Sequence, residues 1–398
     1  IRQLVMAPDA DFLSCPMQGA ALNNATKTDY FATGGRPFYL QFPAWVSQVA
    51  AVGHKTAHVQ RPEARQPLGE LHCAFNPLDV KPWEPGKFDM LDKLQDSARN
   101  RGQVLLMQDA AKDRLVAVKY MPNDWVRGSH KDFMDQYPHE AKRPWKDIGC
   151  SHFLSSVGFE FSCPLLGVDR DGMHPAVVTE LASEGDLFTW CGENSNLDPG
   201  REREVLMKPL FRQIMLGVQE LHNLSIVHGA LSLENFAINY ELQREGGVQR
   251  KVRVIDFGMS STVRRFRACV SGKPSYQAPE LHSASICDAF LTDAFALGVS
   301  LYGVLMKDYP WLSTRPGGCK CFQYYQKHGF RKYIAKRKVR GMKGVTIDKS
   351  MSEDLISLLE GLLAVDPAQR LTLGEMAWQK EDPNRRSVWD EPWLQSNP

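Results

Sequence analysis

The side chains able to do chemistry are concentrated between residues 226 and 258, which read I-V-H-G-A-L-S-L-E-N-F, then a polar insert, then V-R-V-I-D-F-G. The stretch supplies an imidazole (His228), a hydroxyl (Ser232), a carboxamide (Asn235) and two carboxylates (Glu234 and Asp256). Glu234 carries an oxygen that can take up a proton, whereas Ala230 in the same loop ends in a methyl group that cannot. Upstream, V-A-V-K contributes the ammonium of Lys119. Thiol and metal chemistry have a weaker basis. The nine cysteines (Cys15, Cys73, Cys150, Cys163, Cys191, Cys269, Cys287, Cys319 and Cys321) contain no C-x-x-C pair, and Cys319-Lys320-Cys321 is too tight for a tetrahedral zinc pair. Their odd number leaves at least one thiol free in a monomer, and nothing beside Cys319 or Cys321 would lower a thiol pKa. Buried or free thiols and one or two disulfides all stay open.

Seven short motifs follow one another between residues 88 and 395: V-A-V-K, T-E-L-A, H-G-A-L-S-L-E-N, D-F-G, A-P-E, D-A-F-A-L-G and D-P-A-Q-R. In this order and at these intervals they resemble the protein kinase family. The resemblance implies an α+β, bilobal kinase-like fold. It divides the chain into an N-terminal extension (1–87) packing on the domain, a small β-rich N-lobe (88–182) and a large helical C-lobe with a C-terminal tail (183–398). It also implies roles for single residues. Lys119 would contact nucleotide phosphates and pair with a helix carboxylate, taken as Glu140, with Asp135 as the alternative. Thr179 would stand at the gatekeeper place, Glu180 to Ala182 would form the hinge, and Asn235 and Asp256 would hold magnesium. His228, Phe257, Gly258, Glu280, Asp293 and Arg370 would be scaffold, with Glu280 paired to Arg370.

The departures are as informative. Kinases read H-R-D at the catalytic loop, where the Asp orients the attacking hydroxyl; here Gly229 and Ala230 stand at the last two places, and Ser232 replaces the loop lysine. In the segment Gly272-Lys273-Pro274, Lys273 replaces the Thr that would contact both missing partners. Counting back from Lys119, the three glycines of a phosphate-cradling loop should fall at 97, 99 and 102, and the residues found are Ser97, Arg99 and Gly102. Glycines let backbone N–H groups approach phosphate unobstructed, so ordinary cradling is not expected, and Arg99 and Arg101 read as solvated loop residues or as contacts for an anion. The missing loop resembles the with-no-Gly-loop (WNG) branch of apicomplexan secreted rhoptry-type kinases, which includes pseudokinases. That resemblance implies secretion to a parasitophorous vacuole or cyst wall and binding of other secreted proteins, with no cofactor and at most residual ATP and magnesium binding. Two functions follow: an inactive pseudokinase scaffold, and an unusual Ser/Thr kinase in which Glu234 stands in as base.

Composition sets the frame. The 398 residues are 43% hydrophobic and 24% charged, ordinary for a globular protein. Forty-eight basic against 46 acidic residues leave +2, no global field for nucleic acid or an anionic membrane, and no run approaches the roughly 20 apolar residues of a membrane span. The chain opens on Ile1 rather than Met, as a processed or trimmed chain would. Periodicity predicts a short helix over 43–52, a hairpin of 104–107 with 115–119, mixed helix and turn over 121–148, two strands over 153–169, and a helix over 201–222 that includes Val205 on its apolar face. Arg331, Lys332, Lys336, Arg337, Lys338 and Arg340 form a basic cluster, read as a solvated helix face or a docking patch. Asn24 and Asn223 lie in sequons.

Overall fold

Alternation of apolar and polar residues builds the first half of the chain into a sheet. A computed structural model describes residues 69–97, 102–122, 125–126, 128–172, 174–193, 197–242, 248–283 and 285–395. Strands β1 (Lys81–Pro82), β2 (Phe88–Ser97), β3 (Gly102–Asp109), β4 (Arg114–Tyr120), β5 (Leu165–Asp171) and β6 (His174–Glu180) form one sheet in the order β1-β5-β6-β4-β3-β2. All its pairs are antiparallel except β1 with β5. The expected hairpin is β3–β4, turned by residues 110–113. In β4 the period of two buries Val116 and Val118 against Leu105, Met107 and Val178, and so directs Ala117 and Lys119 to the opposite face.

Helix α1 (His130–Gln136) and helix α2 (Pro144–Ser156) follow β4. Pro144 occupies the first turn of α2, where a missing N–H costs nothing. α2 runs on to Ser156, so residues 153–156, expected as strand, are helical: Cys150 and Leu154 recur four apart and are fully buried in the larger core. Part of the expected extension is built into this lobe. Leu71 lies in the core beside Cys150 and Leu154, Phe75 packs with Trp145 and Ile148, and β1 pairs with β5. Gly149 makes that docking possible, because a Cβ there would stand 2.0 Å from the Leu71 carbonyl oxygen. The helix expected over 43–52 lies outside the described residues, as do Cys15, Asn24, Arg99 and Arg101.

The second half is helical around one core. Its principal elements are α3 (Leu187–Glu193), α4 (Arg201–Asn223), α5 (Ala289–Met306), α6 (Lys320–His328), α7 (Phe330–Lys336), α8 (Glu353–Leu362), α9 (Met376–Glu381) and α10 (Pro392–Gln395). Between α4 and α5 run the hairpin β7 (Phe236–Leu242) with β8 (Val248–Val254) and the pair β9 (Arg265–Arg267) with β10 (Ile286–Asp288). α4 buries Leu210, Ile214, Val218 and Leu221, but Val205 is 59% exposed, on the outer side of the stripe. α5 is the one described helix apolar and long enough to cross a membrane by composition, and 94% of it is buried inside the fold. Helices α6 and α7 close on Trp311, which stacks on Tyr325 at 5.1 Å.

Two members of the basic cluster are already paired, one in the core and one on the surface. Arg337 is buried and paired with Asp308, while Arg331 is held by Glu353 and Glu360. Among the described residues Cys73, Cys150, Cys163, Cys191, Cys269, Cys287, Cys319 and Cys321 are free thiols. Burial pushes the Cys163 thiol up to about 11 and Cys191 up to about 12, the opposite of a reactive setting. Asn223 spends its side-chain oxygen on the Met376 N–H at the start of α9.

Candidate active cleft

The cleft between sheet and helices is organised on Asp293, near the start of α5. Its Oδ2 accepts from the His228 N–H (2.9 Å) and its Oδ1 from the Gly229 N–H (3.0 Å), so a buried carboxylate fixes the backbone of the loop. The His228 ring then bridges forward: Nε2 donates to the Ile255 carbonyl (3.1 Å) and Nδ1 accepts from the Ala230 N–H (3.3 Å). That pattern needs the neutral ring, and burial lowers the His228 pKa accordingly. His228 is thus a strut. Asn235 is another, donating its amide to the Ala230 carbonyl at 2.8 Å. Gly229, where the family pattern has Arg, adopts φ +73, and a Cβ there would lie 2.9 Å from the Met259 carbonyl oxygen. The substitution is therefore written into the backbone as well as the side chain.

Ala230 lines a cavity of about 30 Å³ together with Gly229, Gly272, Lys273, Gln277 and Asp293. Among the described residues the only carboxylate on that wall is Asp293, already committed to the two loop N–H groups and to His222. Lys273 reaches the place of the lost loop lysine, its ammonium 3.2 Å from Ser232 Oγ and 2.6 Å from Glu234 Oε2. Burial would raise the Glu234 pKa, but the Lys273 charge lowers it overall. A carboxylate held ionised by an ammonium is a poor proton acceptor, which weakens Glu234 as a substitute base.

Across the cleft, Lys119 does not meet Glu140. Its Nζ donates to Asp147 Oδ2 at 2.6 Å and lies 3.3 Å from Asp256 Oδ1. Glu140 instead accepts weakly from the Lys142 N–H at 3.4 Å, and Asp135 is exposed. The correction has a physical reason: Pro144 starts the regulatory helix four residues after Glu140, so the carboxylate brought to Lys119 is the one in the first turn. Asp147 also accepts from the Phe257 N–H through Oδ1 at 2.8 Å, tying the helix to the D-F-G turn. Asp147→Ala would leave that buried N–H without a partner, and a loss of about 1–3 kcal/mol in urea unfolding is expected, with Asp147→Asn milder. Thr179 lies on β6 opposite Ala117, and Glu180 ends the strand with its N–H on the Pro164 carbonyl at 3.0 Å.

Asp256 has left-handed backbone, φ 66. Lys119 faces its Oδ1 and Lys142 ion-pairs with its Oδ2. Burial favours the protonated acid, yet the two ammoniums prevail and hold the Asp256 pKa well below the usual range. The same carboxylates raise the Lys119 pKa against the effect of burial. With an ammonium at each oxygen, the Asp256 carboxylate as arranged does not fit a magnesium ion, which needs free oxygen ligands in near-octahedral array. Sequence reasoning missed Lys142; it marked Lys273 as a replacement but not its contacts with Ser232 and Glu234. Glu280 and Arg370 form a two-pronged pair at 2.6 and 2.9 Å.

Comparison with known proteins agrees with this geometry. Residues 100–380 match the model of the protein kinase domain. The chain is 28% identical over 293 residues to serine/threonine-protein kinase SAPK3 of Oryza sativa, covering 73% of this chain and 75% of that one. It is 26% identical over 295 residues to serine/threonine-protein kinase SRK2D of Arabidopsis thaliana, covering 73% and 71%. A shorter match, 30% over 205 residues, links it to an abscisic acid-inducible protein kinase of Triticum aestivum, covering 51% and 55%.

Proposed function

The chain belongs to the protein kinase family, and within that family we propose that it works without phosphoryl transfer, as a pseudokinase that binds and positions other proteins. The observation that carries this reading is the wall around Ala230, where the sole carboxylate, Asp293, is spent on the loop backbone and on His222. Loss of a positioned general base costs on the order of 10²- to 10⁴-fold. Lys273 compounds the loss by neutralising Glu234, the nearest replacement. Gly229 makes repair non-local, since an Arg at φ +73 is strained. The partners belonging to this reading are other secreted proteins, in line with the resemblance to the glycine-loop-less branch, and the helical lobe with the N-terminal extension offers the surface.

A second reading, an active Ser/Thr kinase without a glycine loop, is favoured by one feature: Lys119 is paired with a helix carboxylate and lies beside Asp256, the assembled arrangement of a working kinase. Incubation with labelled ATP, magnesium and generic acceptor proteins separates the two. No transfer above that of the Asp256→Ala variant is expected; transfer that this variant abolishes would establish the second reading and end the first.

A further inference from the structure

Lys142 is not a stray surface lysine. It sits in the short Lys142-Arg143 link before α2, and that link is fastened to the D-F-G turn. The Arg143 N–H donates to the Gly258 carbonyl at 2.8 Å, and the Arg143 guanidinium holds the Tyr137 carbonyl at 3.0 Å. A methyl group built at Gly258 would stand 3.5 Å from the Lys142 Cβ, so the two backbones pass in close contact. Four residues on, inside α2, the turn is fastened again by the bond from the Phe257 N–H to Asp147. The Lys142 ammonium is therefore delivered to Asp256 Oδ2 by fixed main chain on both sides, while Lys119 faces Oδ1. The Asp256 side chain is 18% exposed and that of Lys142 is 47% exposed. A mostly buried carboxylate thus carries its own counter-charge, supplied from the solvent side, where a metal would otherwise have to enter.

We infer that Lys142 is a built-in cation for Asp256, taking the place of a divalent metal and excluding one from the cleft. A singly charged ammonium ending a carbon stem satisfies the carboxylate but leaves no room for a metal and its water ligands at the same oxygen. The D-F-G turn is instead held by the Arg143 and Asp147 contacts, which suits a chain whose cleft serves as structure. This goes beyond the functional reading above and does not depend on it: a kinase-fold chain is metal-free by this device whether or not Ala230 has also removed the base.

The test uses Mn²⁺, whose free form is counted by electron paramagnetic resonance, on the full chain. The unaltered protein is expected to leave Mn²⁺ free. Lys142→Met should bind one Mn²⁺ at least about tenfold more tightly, the order of change when a competing positive charge is removed from beside a carboxylate. Lys142→Glu, which adds an oxygen ligand, should bind more tightly still. Adding Asp256→Asn to Lys142→Met should abolish the gain. Lys142 is nearly half exposed, so these variants keep the fold, and circular dichroism checks it. Equal binding by the unaltered protein and Lys142→Met, no gain in Lys142→Met, or a gain that survives Asp256→Asn would each overturn the inference. None of these results restores a proton acceptor at residue 230, so failure here is distinct from failure of the pseudokinase reading, which only phosphate transfer would bring down.

Discussion

Arg370→Ala is expected to destabilise the protein by about 3–5 kcal/mol, the scale for breaking a buried ion pair by removing one partner. The Arg370 side chain is fully buried and every donor is used. Nη1 and Nη2 meet the two oxygens of Glu280 at 2.6 and 2.9 Å, Nη1 also meets the Leu291 carbonyl at 2.9 Å, and Nε and Nη2 share the Ala364 carbonyl at 3.0 Å. The guanidinium lies 5.0 Å from the centre of the Phe295 ring. Truncation strands the Glu280 carboxylate, removes donors from two carbonyls and opens a hole against α5. Arg370→Lys should recover little, because an ammonium cannot reproduce the planar fork. The decisive comparison is Arg370→Met with Glu280→Gln: if the double variant unfolds at a higher denaturant concentration than Arg370→Met alone, the cost lies in the stranded charge. If the two are equal, the loss is packing. Since Glu280 stands directly after Ala278-Pro279 at the end of the segment carrying Lys273, this pair also fixes where Lys273 can reach.

The Glu280–Arg370 contact was legible because A-P-E and D-P-A-Q-R resemble protein kinase motifs, and that resemblance implies the pair. Asp293 was legible in the same way, through the likeness of D-A-F-A-L-G to a motif of that family. Asp147 was not. The family resemblance points to a helix carboxylate without fixing the helix register, which Pro144 sets, and so Glu140 stood where Asp147 belongs. Residues 153–156 were misjudged because four residues alone do not distinguish the last turn of a buried helix from a strand. Lys142 and Lys273 show a different limit. They reach Asp256 across 114 residues and Ser232 across 41; no local pattern marks Lys142, and the motif that marks Lys273 as a replacement does not say where its ammonium ends, so these contacts exist only after the chain has folded. The basic cluster misled in the reverse direction: Arg337 and Arg331 look alike in sequence, yet one is core and the other a surface clasp.

His222 gives the second large effect, and pH exposes it. Its ring is completely buried between Glu375 Oε1 (2.8 Å to Nδ1) and Asp293 Oδ2 (3.1 Å to Nε2), stacked on Phe290 at 4.1 Å, with Arg264 on the same phenyl ring. Burial works against the imidazolium, but hydrogen bonds and charge from the two carboxylates outweigh it and raise the pKa to about 9. An unfolded histidine titrates near 6.5. The folded state therefore holds its proton more tightly, so this contribution is fully present below about pH 6.5 and is lost as pH rises through about 9. The interval corresponds to on the order of 3 kcal/mol. Urea unfolding between pH 6 and 9.5 should show stability falling with pH, and His222→Gln should remove most of that slope. Buried thiols such as Cys163 and Cys191 add a slope of the same sign at the alkaline end, because the unfolded chain releases their protons first. They are present in both proteins and cancel in the difference. A slope unchanged in His222→Gln would mean that the ring is neutral in the fold. The consequence reaches the cleft, because the Asp293 oxygen that meets His222 also holds the His228 N–H: when the imidazolium loses its proton, the loop carrying Ala230 loses the charge that balances its anchor.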